Sequence, residues 1–274
     1  MILALPRPPR QPGAYRPVCL GAAGFIVAGA AAQLIMWAGG FGQGVLPLPS
    51  SVLASAADLA RNGMFLASVG STMAAWAEAM AASVVIGVLL GLLLGVLPWA
   101  GSAAGLVIEF LRPIPSVVLI PLVLLIVQDN MRTELVIIVY ASVWPVLINT
   151  IYGVRDVDPV AKETMRSFGF GPLTVVGRVS LPSAAPFIAT GVRIAASVAL
   201  VVAVAAELIG TGMNGIGAYL TNLESGTDSS APMIAVAVWA GLLGIVINAV
   251  FTGAERRMFR WHHALTGTTG AADT

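Results

Sequence analysis

Charged residues are scarce in this chain: Asp, Glu, Lys and Arg together make up 10% of its 274 residues. A soluble domain carries about 25%, so this sequence cannot clothe a globular surface and belongs in a bilayer. The formal net charge is only +1, which leaves no basic footprint for nucleic acid. The single cysteine, Cys19, excludes an internal disulfide and a cysteine metal cluster. The two histidines, His262 and His263, fall in a charged tail beyond the last apolar run. Histidine metal ligation and serine–histidine catalysis are therefore excluded from membrane depth. No G-x-x-x-x-G-K-[ST] stretch occurs, so the chain has no nucleotide site of its own. Neither a metal site nor a catalytic group is expected.

What the chain does have is apolar sequence: 58% of its residues are hydrophobic. A spanning helix needs about 20 mostly apolar residues, and six runs qualify. They lie near Leu20 to Trp37, within Phe65 to Leu97, within Ala103 to Val127, within Leu135 to Tyr152, near Phe187 to Ile209 and near Met233 to Phe251. The first is too long for the core of a signal peptide and is read as a span. "SSVLASAADLARNG" after it reads as an amphipathic helix on the outer interface, capped by Ser50 or Ser51 and ended by Gly63. The fold class expected is thus an all-α polytopic membrane protein. Residues 1–18 form an N-terminal tail, 19–253 the transmembrane domain and 254–274 a C-terminal tail.

Lys and Arg concentrate on the cytoplasmic side of a membrane protein. Arg7, Arg10 and Arg16 precede the first span; Arg155, Lys162, Arg166 and Arg178 lie in or near the segment between spans four and five; Arg256, Arg257 and Arg260 follow the sixth. Six spans put these three segments on one side, which predicts cytoplasmic termini in a multi-pass plasma-membrane protein.

The segment between spans four and five, residues 156–182, is longer and more polar than a turn requires. "DPVAKETMRSFG" reads as a helix: Asp158 caps it, Pro159 suits its first position and Gly169 its stop. "GPLTVVGRVSLP" reads as a second short helix started by Pro172 and ended by Leu181 and Pro182. The surface of the pair mixes Phe168, Phe170, Leu173 and Val175 with charges. Such a surface serves either to lie on lipid headgroups or to dock a soluble partner, and both readings stand.

This segment resembles the cytoplasmic signature of ABC-importer permeases: Glu-Ala-Ala, three residues, Gly, nine residues, Ile, one residue, Leu-Pro. Glu163, Gly169, Val179, Leu181 and Pro182 fall in register, with Thr164 and Met165 replacing the Ala pair and Val179 the Ile. The likeness extends from about Phe65 to His263. It is closest to the nitrate/sulfonate/taurine-type branch, through "LRPIPSVVLIPLVLL", "INTIYGVRDVD", "ATGVRIA" and "VAAELIG". Two places depart from that branch. "IVQDNMRTE" stands where a Trp-Phe-Gly-x-Gly stretch is usual, and Glu78 stands where a small residue is expected.

The resemblance implies a type I importer subunit whose coupling helix docks into an ATPase subunit through Glu163, Phe168, Gly169, Phe170, Pro172, Leu173, Leu181 and Pro182. It also implies two ATPase subunits that bind ATP and magnesium, a second permease copy forming a homodimer, and an extracytoplasmic binding protein. The solute would be small, an anion such as nitrate, a sulfonate or taurine. Catalysis and cofactors would belong to the partner ATPase.

Inside the membrane, Pro113, Pro115 and Pro121 interrupt the third span. Each removes a donor and frees a carbonyl, which bilayer depth tolerates only in protein or beside a watery cavity. A broken helix is read as a binding region or as a packing kink. Gly87, Gly91 and Gly95 repeat every fourth residue and are read as a packing face. Glu78, Glu109, Arg112, Arg193 and Glu207 lie in or near spans. Glu109 and Arg112 are spaced to pair, Arg193 to snorkel to the surface, and Glu207 to stand at the pathway's mouth. The expected substrate pathway comprises Arg112, Pro113, Pro115, Pro121 and Glu207, although a structural role is open for each. The competing readings are an ion-coupled secondary transporter, which needs buried carboxylates and no docking loop, and a rhomboid-type protease, whose Gly-x-Ser-Gly and buried histidine are missing.

Overall fold

Backbone in hydrocarbon must satisfy its own hydrogen bonds, and each long apolar run is helical in the computed structural model. It describes residues 15–39, 47–210, 214–224 and 230–259. His262 and His263, with Arg7, Arg10 and Arg260, lie outside the described residues. Among those described, every regular element is a helix: α1 Tyr15–Gly39, α2 Pro49–Leu59, α3 Gly63–Val96, α4 Pro98–Leu111, α5 Ile120–Val127, α6 Asn130–Arg155, α7 Pro159–Ser167, α8 Pro172–Val175, α9 Leu181–Leu208, α10 Ile216–Glu224 and α11 Ser230–Met258. Four helical stretches are long and apolar enough to cross a membrane, or five if the bent pair α4 and α5 counts as one span. The chain is a multi-pass membrane protein.

The core is built from α3, α6 and α9. A Cβ added at Gly87 would come within 2.8 Å of the Val146 side chain, one at Gly91 within 2.5 Å of Thr150, and one at Gly95 within 2.8 Å of Val154. Both series ascend together, so α3 and α6 run parallel, with the glycines admitting close approach as their spacing predicts. In α9 the small residues Ala195, Ala199, Ala203 and Ala206 are fully buried. Gly191 faces Asn149 while Gly153 faces Ala184 and Phe187, so α9 runs antiparallel to α6. Ser83 and Ser142 share a 2.7 Å hydrogen bond between α3 and α6. Phe65, Tyr219 and Trp239 pack edge to face around the start of α3, with centroids 5.3 and 6.0 Å from Phe65. The outward faces carry large apolar side chains, among them Leu106, Phe110 and Leu125.

Several local expectations need correction. Neither Ser50 nor Ser51 caps α2. Pro49 occupies its first position and the Ser51 hydroxyl donates back to the Leu48 carbonyl at 2.7 Å. Gly63 does not end that helix. It opens α3, because the Asn62 side chain accepts from the amides of Met64 and Phe65 at 3.0 and 3.2 Å. The third span does break, by 82° between α4 and α5, but only the Arg112–Pro115 elbow breaks it. Pro115 precedes a short 3-10 turn, Ser116–Leu119, and Pro121 sits in the first turn of α5. There the missing N–H has no intrahelical partner to lose. The Tyr140 hydroxyl donates to the Leu111 carbonyl at 2.6 Å, satisfying backbone at the elbow.

The second helix of the 156–182 segment does not end at Leu181 and Pro182. Pro172 to Leu208 is one helical stretch of 37 residues. A single π-helical turn, Val176–Ser180, lies just before Pro182. Its wider winding accommodates the ring and the lost donor that would break a tighter helix. Arg193 Nε lies 3.1 Å from Glu255 Oε2 on α11, with both side chains partly exposed. No ion pair joins Glu109 to Arg112 among the described residues.

Candidate functional site

Two regions carry polar chemistry: the segment after α6, and cavities along the core helices. In the first, Asp158 caps α7 by accepting from the Val160 amide at 2.8 Å, with Pro159 at the first helical position. Gly169 ends α7 with φ +80°, a left-handed conformation that costs glycine little. The Phe170 amide then donates to the Met165 carbonyl at 3.2 Å, closing the turn. Lys162 Nζ donates to the Val154 carbonyl at 3.0 Å and ties α7 to the end of α6. Burial, with Arg166 adding to it, holds the Lys162 amine below its ordinary value.

Of the apolar residues expected on this surface, Phe168, Phe170 and Leu173 are exposed, whereas Val175 is 3% exposed and turned into the protein. Phe168 is 77% and Leu173 86% exposed, with Phe170 beside them and the Arg178 guanidinium 5.9 Å from its ring centre. Glu163, Pro172, Leu181 and Pro182 are also exposed.

The expected pathway residues do not gather. Arg112 and Pro113 line a cavity of about 530 Å³ between α4 and α6 with Glu109, Tyr152 and Arg155. Glu207 lines a different one, of about 310 Å³, near the opposite end of the core. Pro115 and Pro121 line neither.

The Glu207 cavity holds what the sequence reading missed. Glu207, 2% exposed, accepts from Thr72 Oγ1 at 2.7 Å and from the Gly217 amide at 2.9 Å; the Ile216 amide donates to Thr72 Oγ1 at 2.9 Å. The carboxylate thus sits on the first amides of α10, where helix dipoles favour negative charge. Gly215 and Gly217 are required: a Cβ on either would collide with atoms of or next to Glu207. Glu134, 6% exposed, is within hydrogen-bond reach of Glu207, yet its Oε1 has no partner. Glu78, near the middle of α3, completes the acidic lining with Ser71 and Asn214. Glu134 escaped notice because it lies just before the apolar run assigned to span four. Its charge was the only available signal.

The protein is thus a bundle of parallel and antiparallel apolar helices with a broken span and an exposed amphipathic helical turn at one end. Residues 83–260 match the family described as binding-protein-dependent transport system inner membrane component, and the chain belongs to that family. It is an import-type ABC transporter permease. A relative in Brucella melitensis, named a probable ABC transporter permease protein, is 29% identical over 223 residues, covering 80% of this chain and 89% of the relative. The bicarbonate transport system permease protein CmpB of Synechococcus elongatus is 30% identical over 152 residues, 56% of this chain and 54% of its own. The fold matches the MetNI methionine ABC transporter in its inward-facing conformation with a TM-score of 0.61 at 20% identity, over 69% of this chain and 94% of that one.

Proposed function

We propose that this chain is the membrane-spanning subunit of an ATP-driven importer and forms the translocation pathway for a small solute delivered by a binding protein. In this reading it has six spans, α1 and the bent α4–α5 pair included, with both termini and residues 156–182 in the cytoplasm. It binds no nucleotide. ATP and magnesium are bound by two copies of a separate ATPase subunit, and a second copy of this chain completes the pathway as a homodimer. The observation that carries the reading is the Phe168–Phe170–Leu173 ridge. These side chains stand exposed at the turn between α7 and α8, inside the span of chain that matches the importer family. Exposed apolar side chains set among charges suit a protein groove.

Closure of the ATPase dimer on ATP moves α7 as a lever. Lys162 bonded to the end of α6, and α8 continuous with α9, pass that motion to the two helices at the centre of the core. The test is co-purification: wild-type chain should retain its ATPase, whereas Phe168→Ala with Leu173→Ala should reach the membrane and lose it. Full retention of the ATPase by this double variant would overturn the docking assignment.

A further inference from the structure

The cavity lined by Glu78, Glu134 and Glu207 carries an inference about the substrate, and it rests on the importer reading above. Its lining includes three carboxyls and no basic side chain. Glu78 is exposed on this subunit near the middle of a 34-residue helix. A carboxylate facing lipid at that depth costs about 3 kcal/mol or more, so this face of α3 lies against water or protein rather than acyl chains. The Glu134 side chain is 6% exposed and within hydrogen-bond reach of Glu207, and its Oε1 has no partner. A buried acceptor left unmade costs about 1–3 kcal/mol. A bound cation that donates to this oxygen relieves that cost.

We propose that this cavity is a substrate-binding subsite for a positively charged nitrogen group, an ammonium or amidinium, on the imported solute. Among the described residues no three acidic or histidine groups are gathered tightly enough to hold a metal ion. A nitrogen cation with several N–H donors suits carboxyls spread around about 310 Å³. Ser71 and Asn214 supply neutral polar groups for the remainder of the solute. Bicarbonate, the solute in the name of the Synechococcus relative, has no such group. On this inference the present chain serves a different substrate class.

The test uses charged thiol reagents on the full transporter with its ATPase, in a Cys19→Ser background. Ser71→Cys and Ala74→Cys each place a thiol on the cavity lining. Their rates with 2-(trimethylammonium)ethyl methanethiosulfonate and 2-sulfonatoethyl methanethiosulfonate are each divided by the rate for 2-mercaptoethanol. An acidic cleft concentrates counter-ions by tenfold or more, so the normalised cation-to-anion ratio should be about ten or higher. It should fall toward one when Glu78→Gln is added, and further with Glu134→Gln. A ratio near one, a preference for the anion, or no reaction at either position overturns the subsite. ATPase co-purified in the same preparation reports on the importer reading separately, so the two can fail independently.

Discussion

Thr72 on α3 and Glu207 on α9 are joined by a 2.7 Å hydrogen bond in which the threonine hydroxyl donates. The same hydroxyl accepts from the Ile216 amide at 2.9 Å. One fully buried side chain therefore holds a core carboxylate and the start of α10 together. Thr72→Val keeps the shape and removes both bonds. Leaving buried polar groups unmade costs about 1–3 kcal/mol, so the variant should unfold at a lower temperature in detergent. Thr72→Ser should retain most of the stability. Equal melting of Thr72→Val and wild type would show that the bond contributes nothing.

The α3–α6 interface yields a second expectation. Gly91 lies against Thr150 so closely that a Cβ would stand 2.5 Å from the threonine Cβ. Gly91→Val must push the helices apart, and overpacking of this kind costs about 1–3 kcal/mol. Membrane abundance should drop. Gly70→Ala, on the same helix with nothing within 4 Å of an added Cβ, should be tolerated. Quantitative blotting of both variants decides it.

At the end of α7 the φ of +80° at Gly169 sets a third. A β-branched residue there costs about 1–2 kcal/mol or more, paid locally and outside the bilayer. Gly169→Val and Glu163→Ala should insert normally yet associate poorly with the ATPase. Unchanged abundance together with unchanged co-purification, in both variants, would remove the coupling role from this turn.

Orientation is open to direct labelling. In a Cys19→Ser background, Ala60→Cys between α2 and α3 should react with a membrane-impermeant thiol reagent in intact cells. Ser167→Cys at the end of α7 should react only after the cells are opened. The reverse pattern would invert the topology.

The departures from the resembled branch found their place in three dimensions. Glu78 and the last residue of "IVQDNMRTE", Glu134, line the same cavity. Read along the chain, they were two unrelated oddities, one within the second span and one just before the fourth. Neither α10 nor the partnership of Glu207 with its first amides was expected either. A nine-residue helix of mixed polarity has no bilayer-length run to announce it.

By itself, the sequence determined what depends on neighbours along the chain. Hydrophobic length set the spans, since each must close its own hydrogen bonds across about 30 Å of hydrocarbon. Pro113 and Pro115 set the elbow, Asp158 and Pro159 the start of α7, and Gly169 its stop, because each acts on backbone within a turn of itself. Tertiary structure decided the rest. Helix rotation and register placed Glu78, Glu134 and Glu207 around one cavity and left Arg112 in another. The π-turn before Pro182 let α8 run on into α9. These outcomes follow from which faces pack together, and a helix's own period specifies a face without naming its partner.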